Sequence, residues 1–391
     1  MLRGSSSLAG CCFLRSSRTK IKKKDKTWLV RVFLGRDTNG KRKYYGKIIH
    51  GTKKNAGTYL TAKLREKDLG IFVEPASMPL SEFLDRWLEE IAKPRVREST
   101  YASYEMMLRL YINPKLGTKR LSDIQAHEIQ RNYTDMRKSG LSSRTVRYAH
   151  NVLSSAFKQA IKWQMLIRNP CDVCELPRLE KTEMKYFTPN QVSTFLKTAQ
   201  TDKHFLVFLL AIETGMRPEE YFAVQWKDID LESGLLSVRR ALIWNRKGGG
   251  FKFEEPKTSK SRRSIPLSNS VVSALKVYRR TQLEQRMKLG ADYASLDLVF
   301  ATEIGTPISS KNLRDRHFKP LMTKAGLPEI RLYDLRHTTA TLLLSAGENP
   351  KVVSERLGHA SIVLTLDTYS HVLPTMQKDA TSKIEKIMFG T

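Results

Sequence analysis

Long apolar runs are missing from this 391-residue chain: no stretch approaches the ~18 residues that a membrane-spanning helix needs, which excludes a transmembrane role. Cysteine is scarce too. Cys11, Cys12, Cys171 and Cys174 make no dense framework of the secreted, disulfide-stapled kind, so a reducing compartment, the cytoplasm, is expected. Cys171-Asp-Val-Cys174 has the spacing of half a zinc site, yet no second ordered pair or His cluster lies nearby to complete a tetrahedron. The stretch reads instead as a turn between Pro170 and Pro177, and neither a metal nor a cofactor is expected. Acidic residues are absent from the first 18, which are rich in Ser and Arg and superficially suit a transit peptide. Amphipathic periodicity is not evident there, and Leu8 to Leu14 is too short and too interrupted for a secretory signal, so residues 1–18 read as a disordered leader. No internal repeat or low-complexity tract is visible.

Positive charge is what the chain has in excess. Against 39 Asp and Glu stand 68 Lys and Arg, a net charge of +29 that concentrates polyanions around the protein. Residues 1–75 carry 19 Lys and Arg but 5 Asp and Glu, so a surplus of 14 sits in about a fifth of the length. Nucleic acid is the partner this implies, gripped through its phosphates.

The apolar pattern divides the chain. Thr27 to Leu34 alternates as a strand does, Asp37-Thr38-Asn39-Gly40 supplies turn residues, and Lys41 to Ile49 follows as a second strand. Thr52 to Leu69 is helical, with Leu60, Leu64 and Leu69 on one face. From Leu80 the spacing of Phe83, Leu84, Trp87, Leu88 and Ile91 is that of a buried helix face. Ser99-Thr100 predicts the cap of a second helix through Tyr111 that stops before Pro114; a third spans Ala126 to Lys138 and ends at Gly140. A long fourth opens at Ser142-Ser143, buries Val146, Val152, Leu153, Phe157, Ile161 and Leu166, and closes at Asn169-Pro170. Beyond residues 171–182 the pattern is mixed: helices at Thr188-Pro189 and Phe205 to Glu213, strands over Leu235 to Ile243 and Phe251 to Pro256, then helices from Ser268 onward. The expected fold class is multidomain α+β: a small N-terminal β-sheet with a helix, an all-α domain, and a mixed, mainly α domain with a small sheet.

Phosphodiester transfer without a metal requires fixed cations around the phosphate, a nucleophile in line and an acid for the leaving oxygen. The chain offers these in order: Glu213-Thr214-Gly215-Met216-Arg217-Pro218-Glu219-Glu220, Lys257-Thr258-Ser259-Lys260-Ser261-Arg262-Arg263, Tyr333-Asp334-Leu335-Arg336-His337-Thr338, Leu357-Gly358-His359 and Asp367-Thr368-Tyr369. Each alone is weak. Together, with ten positions from His359 to Tyr369, they resemble the boxes of the tyrosine recombinases, or phage-type integrases, over nearly the whole chain.

The resemblance implies an arm-type DNA-binding domain at 19–72, a helical SAM-like core-binding domain at 78–170, a linker at 171–182, a catalytic domain at 183–373 and a tail at 374–391 whose Ile384 and Ile387 dock on a neighbour. It implies that the helical and catalytic domains clamp DNA. Arg217 and Arg336 would clamp the non-bridging oxygens, as planar guanidiniums suit. Lys257 would protonate the leaving 5′ oxygen, with Lys260 the weaker candidate. His359 would bond the phosphate or assist proton transfer, Glu220 would orient Arg217, and Tyr369 would attack phosphorus with its phenol ionised with the help of surrounding cations. The product is a 3′-phosphotyrosine and a free 5′ hydroxyl, with no ATP needed. Tyr101, Tyr104, Tyr111, Tyr221 and Tyr333 are expected to lack this setting. The partners implied are double-stranded DNA attachment sites, a homotetramer in the synapse, a host DNA-bending factor and a directionality factor, in a nucleoid-associated cytoplasmic setting.

One position departs from the family pattern. Three residues before the second arginine the family has His and this chain has Tyr333, which donates a hydrogen bond but is no base near neutral pH. His337 is a poor substitute on helical geometry, because adjacent positions do not share a face with Arg336. Two alternatives remain open: a non-catalytic DNA-binding protein, since Ala340 to Ser345, Gly347 and Pro350 to Leu357 also resemble a helix-turn-helix, and a type IB topoisomerase sharing the chemistry without pairing two sites.

Overall fold

The computed structural model describes residues 22–24, 27–36, 38–69, 72, 77–180, 184–245, 249–256, 259–369 and 373–390. Its two compact units are Met1–Lys181 and Thr182–Thr391. The leader at 1–18, Asp37 of the first turn and most of the stretch from Gly70 to Met78 lie outside the described residues.

In the first unit, β1 (Lys22–Lys24), β2 (Thr27–Arg36) and β3 (Arg42–His50) form one antiparallel sheet in that order. Val30 and Val32 alternate inward and are fully buried, with Ala56 of α1 (Lys53–Asp68) also in the core. Thr52 caps α1 by accepting from the Asn55 amide. Leu69 does not share the buried face; it is the C-cap residue and is 63% exposed.

The helical part runs through α2 (Leu80–Trp87), α3 (Glu98–Met107), α4 (Asn113–Leu116), α5 (Ala126–Lys138) and α6 (Ser143–Lys162). Leu80, Phe83, Leu84, Trp87 and Leu88 are buried as their spacing predicts, against Leu153 and Phe157 of α6 in one core. Three details differ from the sequence reading. The cap of α3 is Arg97, with no side-chain cap bond, so Ser99 and Thr100 lie inside the helix. The rod also does not stop before Pro114: Leu108–Ile112 widens into a π turn, and Pro114 then falls in the first turn of α4, where a missing amide costs no helix bond. Finally, α6 ends at Lys162, where Gln164 adopts φ 57°, so Leu166 packs on the core from outside the helix. A 3-10 turn at Pro170–Val173 follows, with Cys171 buried and its thiol pushed up to about 12 by burial; Cys174 donates its thiol to the carbonyls of Pro170 and Ala126.

The second unit opens with α7 (Pro189–Ala199), capped by Thr188 and Gln191 reciprocally, and with α8 (Phe205–Thr214), apolar from Phe205 to Ile212 and central to the core. Next come α9 (Pro218–Tyr221), β4 (Ile229–Asp230), β5 (Leu235–Val238), β6 (Ala241–Trp244), β7 (Phe251–Glu254) and β8 (Arg263–Pro266). The expected single strand from Leu235 to Ile243 is therefore two. At Arg239-Arg240 the chain leaves the β4-β5-β8 sheet for the β6-β7 hairpin, and Arg240 turns back onto the buried Asp228 carboxylate. The remaining helices are α10 (Asn269–Leu289), α11 (Ser310–Leu313), α12 (Lys319–Lys324), α13 (Asp334–Ser345), α14 (Pro350–Leu357), α15 (Ile362–Tyr369) and α16 (Leu373–Phe389). Among the described residues no helix is long and apolar enough to cross a membrane. Ile384 and Ile387 on α16 are exposed.

Candidate active site

Two helix ends build the framework of the site. At the end of α8, Gly215 turns left-handed at φ 64°, and at the end of α14, Gly358 does the same at φ 67°. Neither position tolerates a side chain. A Cβ on Gly215 would meet Leu357 at 2.6 Å, and one on Gly358 would meet the Arg263 guanidinium at 2.9 Å. Each glycine offers its carbonyl to an arginine. Arg336, on the first turn of α13, donates Nη1 to Gly215 O at 2.9 Å, and Arg217, at the N-cap of α9, reaches Gly358 O with Nη2 at 3.5 Å. Because Gly215→Ala combines a left-handed backbone with overpacking, it is expected to cost roughly 2–5 kcal/mol. Calorimetry of the full chain checks this: an unchanged unfolding profile would contradict the close approach.

Glu220 sits beneath the two arginines, buried, with Arg217 Nη1 at 2.7 Å and Arg263 Nη2 at 2.9 Å; the Arg217 amide also donates to it. Burial alone would raise this carboxyl, but Arg263 and then Arg217 more than offset that and hold it below the usual carboxylate range. The sequence reading quoted Arg263 without giving it a role. Its strand supplies the missed signal: in β8 Arg263 shares the inward face with Ile265, and an arginine facing inward needs a carboxylate. Arg263 also donates to the carbonyls of Arg356 at 2.5 Å and Ser261 at 3.0 Å, tying β8 to α14.

Arg336 is almost fully buried, and its Nη2 has no hydrogen-bond partner among the described residues. Burial, then repulsion from Arg217, lowers its pKa to about 10, so it stays charged at neutral pH. Three guanidiniums thus face one Glu220 carboxylate, and one buried guanidinium donor has no acceptor among the described residues. An anion with two free oxygens suits that deficit.

His359 follows Gly358 and places Nδ1 2.7 Å from the Thr365 hydroxyl. Burial, then Arg336, Arg217 and Arg263, depress the imidazole to about 3, so it is neutral throughout the physiological range. Its folded pKa lies below the ordinary 6.5, so the stability it contributes is complete above pH 6.5 and is lost as the pH falls toward 3. Thermal unfolding of wild type is expected to weaken over that window by up to about 1.4 kcal/mol per pH unit from this group, and His359→Gln to remove that component. Identical pH dependence in the two proteins would refute it.

Tyr369 closes α15. Its ring is buried against Ala340, Leu344, Val353 and Leu357, and its hydroxyl lies 2.8 Å from His337 Nδ1. Burial raises the phenol above its ordinary value although Arg336 pulls the other way. The resting phenol is therefore protonated, with Arg336 the cation that favours its ionisation. His337, expected to be a poor substitute because it does not share a helix face with Arg336, is the side chain that hydrogen-bonds the Tyr369 hydroxyl. Tyr333 adjoins the cluster, its ring 5.4 Å from that of His337 and the residue 37% exposed. Lys260 donates Nζ to Ala360 O at 2.8 Å, beside His359, whereas Lys257 lies outside the described residues.

Comparison with known proteins agrees with this arrangement. Residues 185–376 match the phage integrase family, and residues 80–137 match the phage integrase N-terminal SAM-like domain. The chain is 32% identical over 379 residues to a protein of Caldanaerobacter subterraneus subsp. tengcongensis named Tyrosine recombinase XerC-like, across 92% of this chain and 95% of that one. It is 30% identical to the ICEBs1 integrase of Bacillus subtilis, over 76% of this chain and 87% of that one. Among solved structures, the Tn1549 transposon integrase in complex with a circular intermediate DNA matches with TM-score 0.64 and 25% identity, covering 75% of this chain and 95% of that one. A lambda integrase tetramer bound to a Holliday junction shares the fold at TM-score 0.54 and 20% identity, over 87% and 95%. With its sequence relatives spanning both units and its arginine-lined site closing on a buried tyrosine, the chain belongs to the phage integrase family of tyrosine recombinases, enzymes that cut and rejoin DNA strands.

Proposed function

We propose that this recombinase acts at specific attachment sites to integrate or excise a mobile element, with Tyr369 as its nucleophile. The observation that carries the site assignment is the buried Nη2 of Arg336, without a partner among the described residues, beside Arg217, His359 and Tyr369. A scissile phosphate supplies what that donor lacks. In this reading Arg217 and Arg336 hold the two non-bridging oxygens, Glu220 keeps Arg217 in place, and neutral His359 donates a further hydrogen bond. Tyr369 forms the bond to phosphorus, the bond to the 5′ oxygen breaks, and Lys257 protonates that oxygen. A tyrosyl phosphodiester is the result, and the reverse attack by a 5′ hydroxyl from a partner strand completes exchange. Relatives named as the ICEBs1 integrase and the transposase from transposon Tn916 support mobile-element biology. The lambda integrase tetramer on a Holliday junction supports a four-protomer synapse. A host DNA-bending factor and a directionality factor would act beside it, in a nucleoid-associated cytoplasmic setting, with residues 19–72 gripping arm sites, 78–170 the core site, 171–182 linking to the catalytic 183–373, and 374–391 docking on the next protomer.

The test is covalent trapping. A core sequence is selected from a randomised duplex pool for binding to this protein, nicked so that the cleaved fragment diffuses away, and the adduct is resolved on a denaturing gel and mapped by mass spectrometry. A phosphonucleotide on the peptide holding Tyr369, formed on the selected site and not on scrambled duplex, is expected. Binding with no adduct would favour a DNA-binding role, and equal cleavage of any duplex a topoisomerase.

A further inference from the structure

The family pattern places histidine at the position occupied here by Tyr333, which leaves open what receives the phenol proton when Tyr369 attacks. The side chains around the Tyr369 hydroxyl narrow the choice. His359 has its Nδ1 engaged with the Thr365 hydroxyl, and an imidazole depressed to about 3 is too weak a base to gain much of a proton. Tyr333 meets His337 through its ring and is itself a phenol. Lys260 is occupied by the Ala360 carbonyl, and an ammonium has no lone pair to offer. His337 remains, with Nδ1 already 2.8 Å from the hydroxyl and the two rings 5.8 Å apart.

We propose that His337 is the general base of this enzyme: its Nδ1 holds the Tyr369 hydroxyl in place and takes the proton as the oxygen bonds to phosphorus. The proposal rests on Tyr369 being the nucleophile. In cleavage the Oη–H bond breaks, its proton passes to Nδ1, the O–P bond forms and the P–O5′ bond breaks, the 5′ oxygen taking its proton from the separate acid on the leaving-group side. In rejoining, the imidazolium returns the proton to Tyr369 as the 5′ hydroxyl displaces it. The groups facing His337 suit the task. From α13 come Tyr333 through its ring, Asp334, which favours the imidazolium, and Arg336, which opposes it; Arg331 just before the helix also opposes it, and Tyr369 and His359 face it from beyond α14. Burial together with Arg336 and Arg331 keeps the ring neutral and so ready to accept, while Arg336 also steadies the developing negative oxygen. Because the hydrogen bond already exists, proton transfer requires no rearrangement of either ring.

Single-turnover adduct formation on the selected, nicked duplex tests this with His337→Ala and His337→Gln. Glutamine keeps an acceptor for the phenol without a base, so it separates orientation from proton transfer. Both variants are expected to bind the duplex as wild type does and to cleave it about 10²–10³-fold more slowly, with added imidazole restoring part of the alanine rate. Wild type should lose rate on the acid side of neutrality, while the variants should gain rate steadily with hydroxide. A duplex with sulfur at the bridging 5′ position, which leaves without an acid, should rescue Lys257→Ala and not the His337 variants. A glutamine variant within about threefold of wild type, or rescued by the sulfur leaving group, overturns the proposal. An adduct that maps to a residue other than Tyr369 instead overturns the assignment of the nucleophile, which the same gel distinguishes.

Discussion

Tyr369→Phe is expected to bind the selected duplex normally and to form no covalent adduct, a loss of at least about 10⁴-fold. The substitution removes one oxygen. The ring, buried among Ala340, Leu344, Val353 and Leu357, keeps its packing, so stability should move by only about 1 kcal/mol as the bond to His337 is lost. Tyr221 is fully buried and pushed far up by burial, and the ring of Tyr333 packs against that of His337. A gel comparing the two proteins decides the matter, and an undiminished adduct in the phenylalanine variant would move the nucleophile elsewhere.

The second large effect is expected at Arg336. Arg336→Lys keeps a positive charge but loses the fork, and one ammonium cannot hold Gly215 O and also present a second donor where Nη2 now points. Cleavage should fall by about 10²–10³-fold while duplex binding, spread over many phosphates, stays nearly constant. Comparing single-turnover rates at saturating protein with binding isotherms separates the two. A lysine variant that cleaves within a few-fold of wild type would mean that charge alone suffices and that the forked geometry is idle. In the opposite direction, a variant that binds poorly would place Arg336 in recognition and not in chemistry.

Much of this was legible in the sequence because it is written in short-range terms. Helix faces of period 3.6, such as Leu80 to Leu88, and reciprocal caps, such as Thr188 with Gln191, depend on residues a few positions apart. The arginine, histidine and tyrosine boxes are local as well, and the structure brings Arg217, Glu220, Arg336, His359 and Tyr369 together around two glycine turns. What escaped was long-range. The contact of His337 with Tyr369 joins residues on different helices, and a rule about neighbours on one helix says nothing about what arrives from another. The split at Arg239-Arg240 depends on the buried Asp228, and the rod through Pro114 on a π turn, neither of which alternation or a proline alone reveals.

The two glycine carbonyls have a bearing on how such an enzyme can be retargeted. Arg336 is held by the main-chain oxygen of Gly215, and Arg217 by Glu220 with a longer contact to the main-chain oxygen of Gly358, so the arginine pair takes its placement from the path of the backbone and one buried carboxylate. Side chains that touch neither those turns nor Glu220, Arg263 and His337 can then drift, or be randomised in a library, with little effect on the reacting centre. Laboratory evolution toward a new DNA address should accordingly find its solutions away from these turns, and the bond-breaking step should travel with the scaffold as a fixed cartridge.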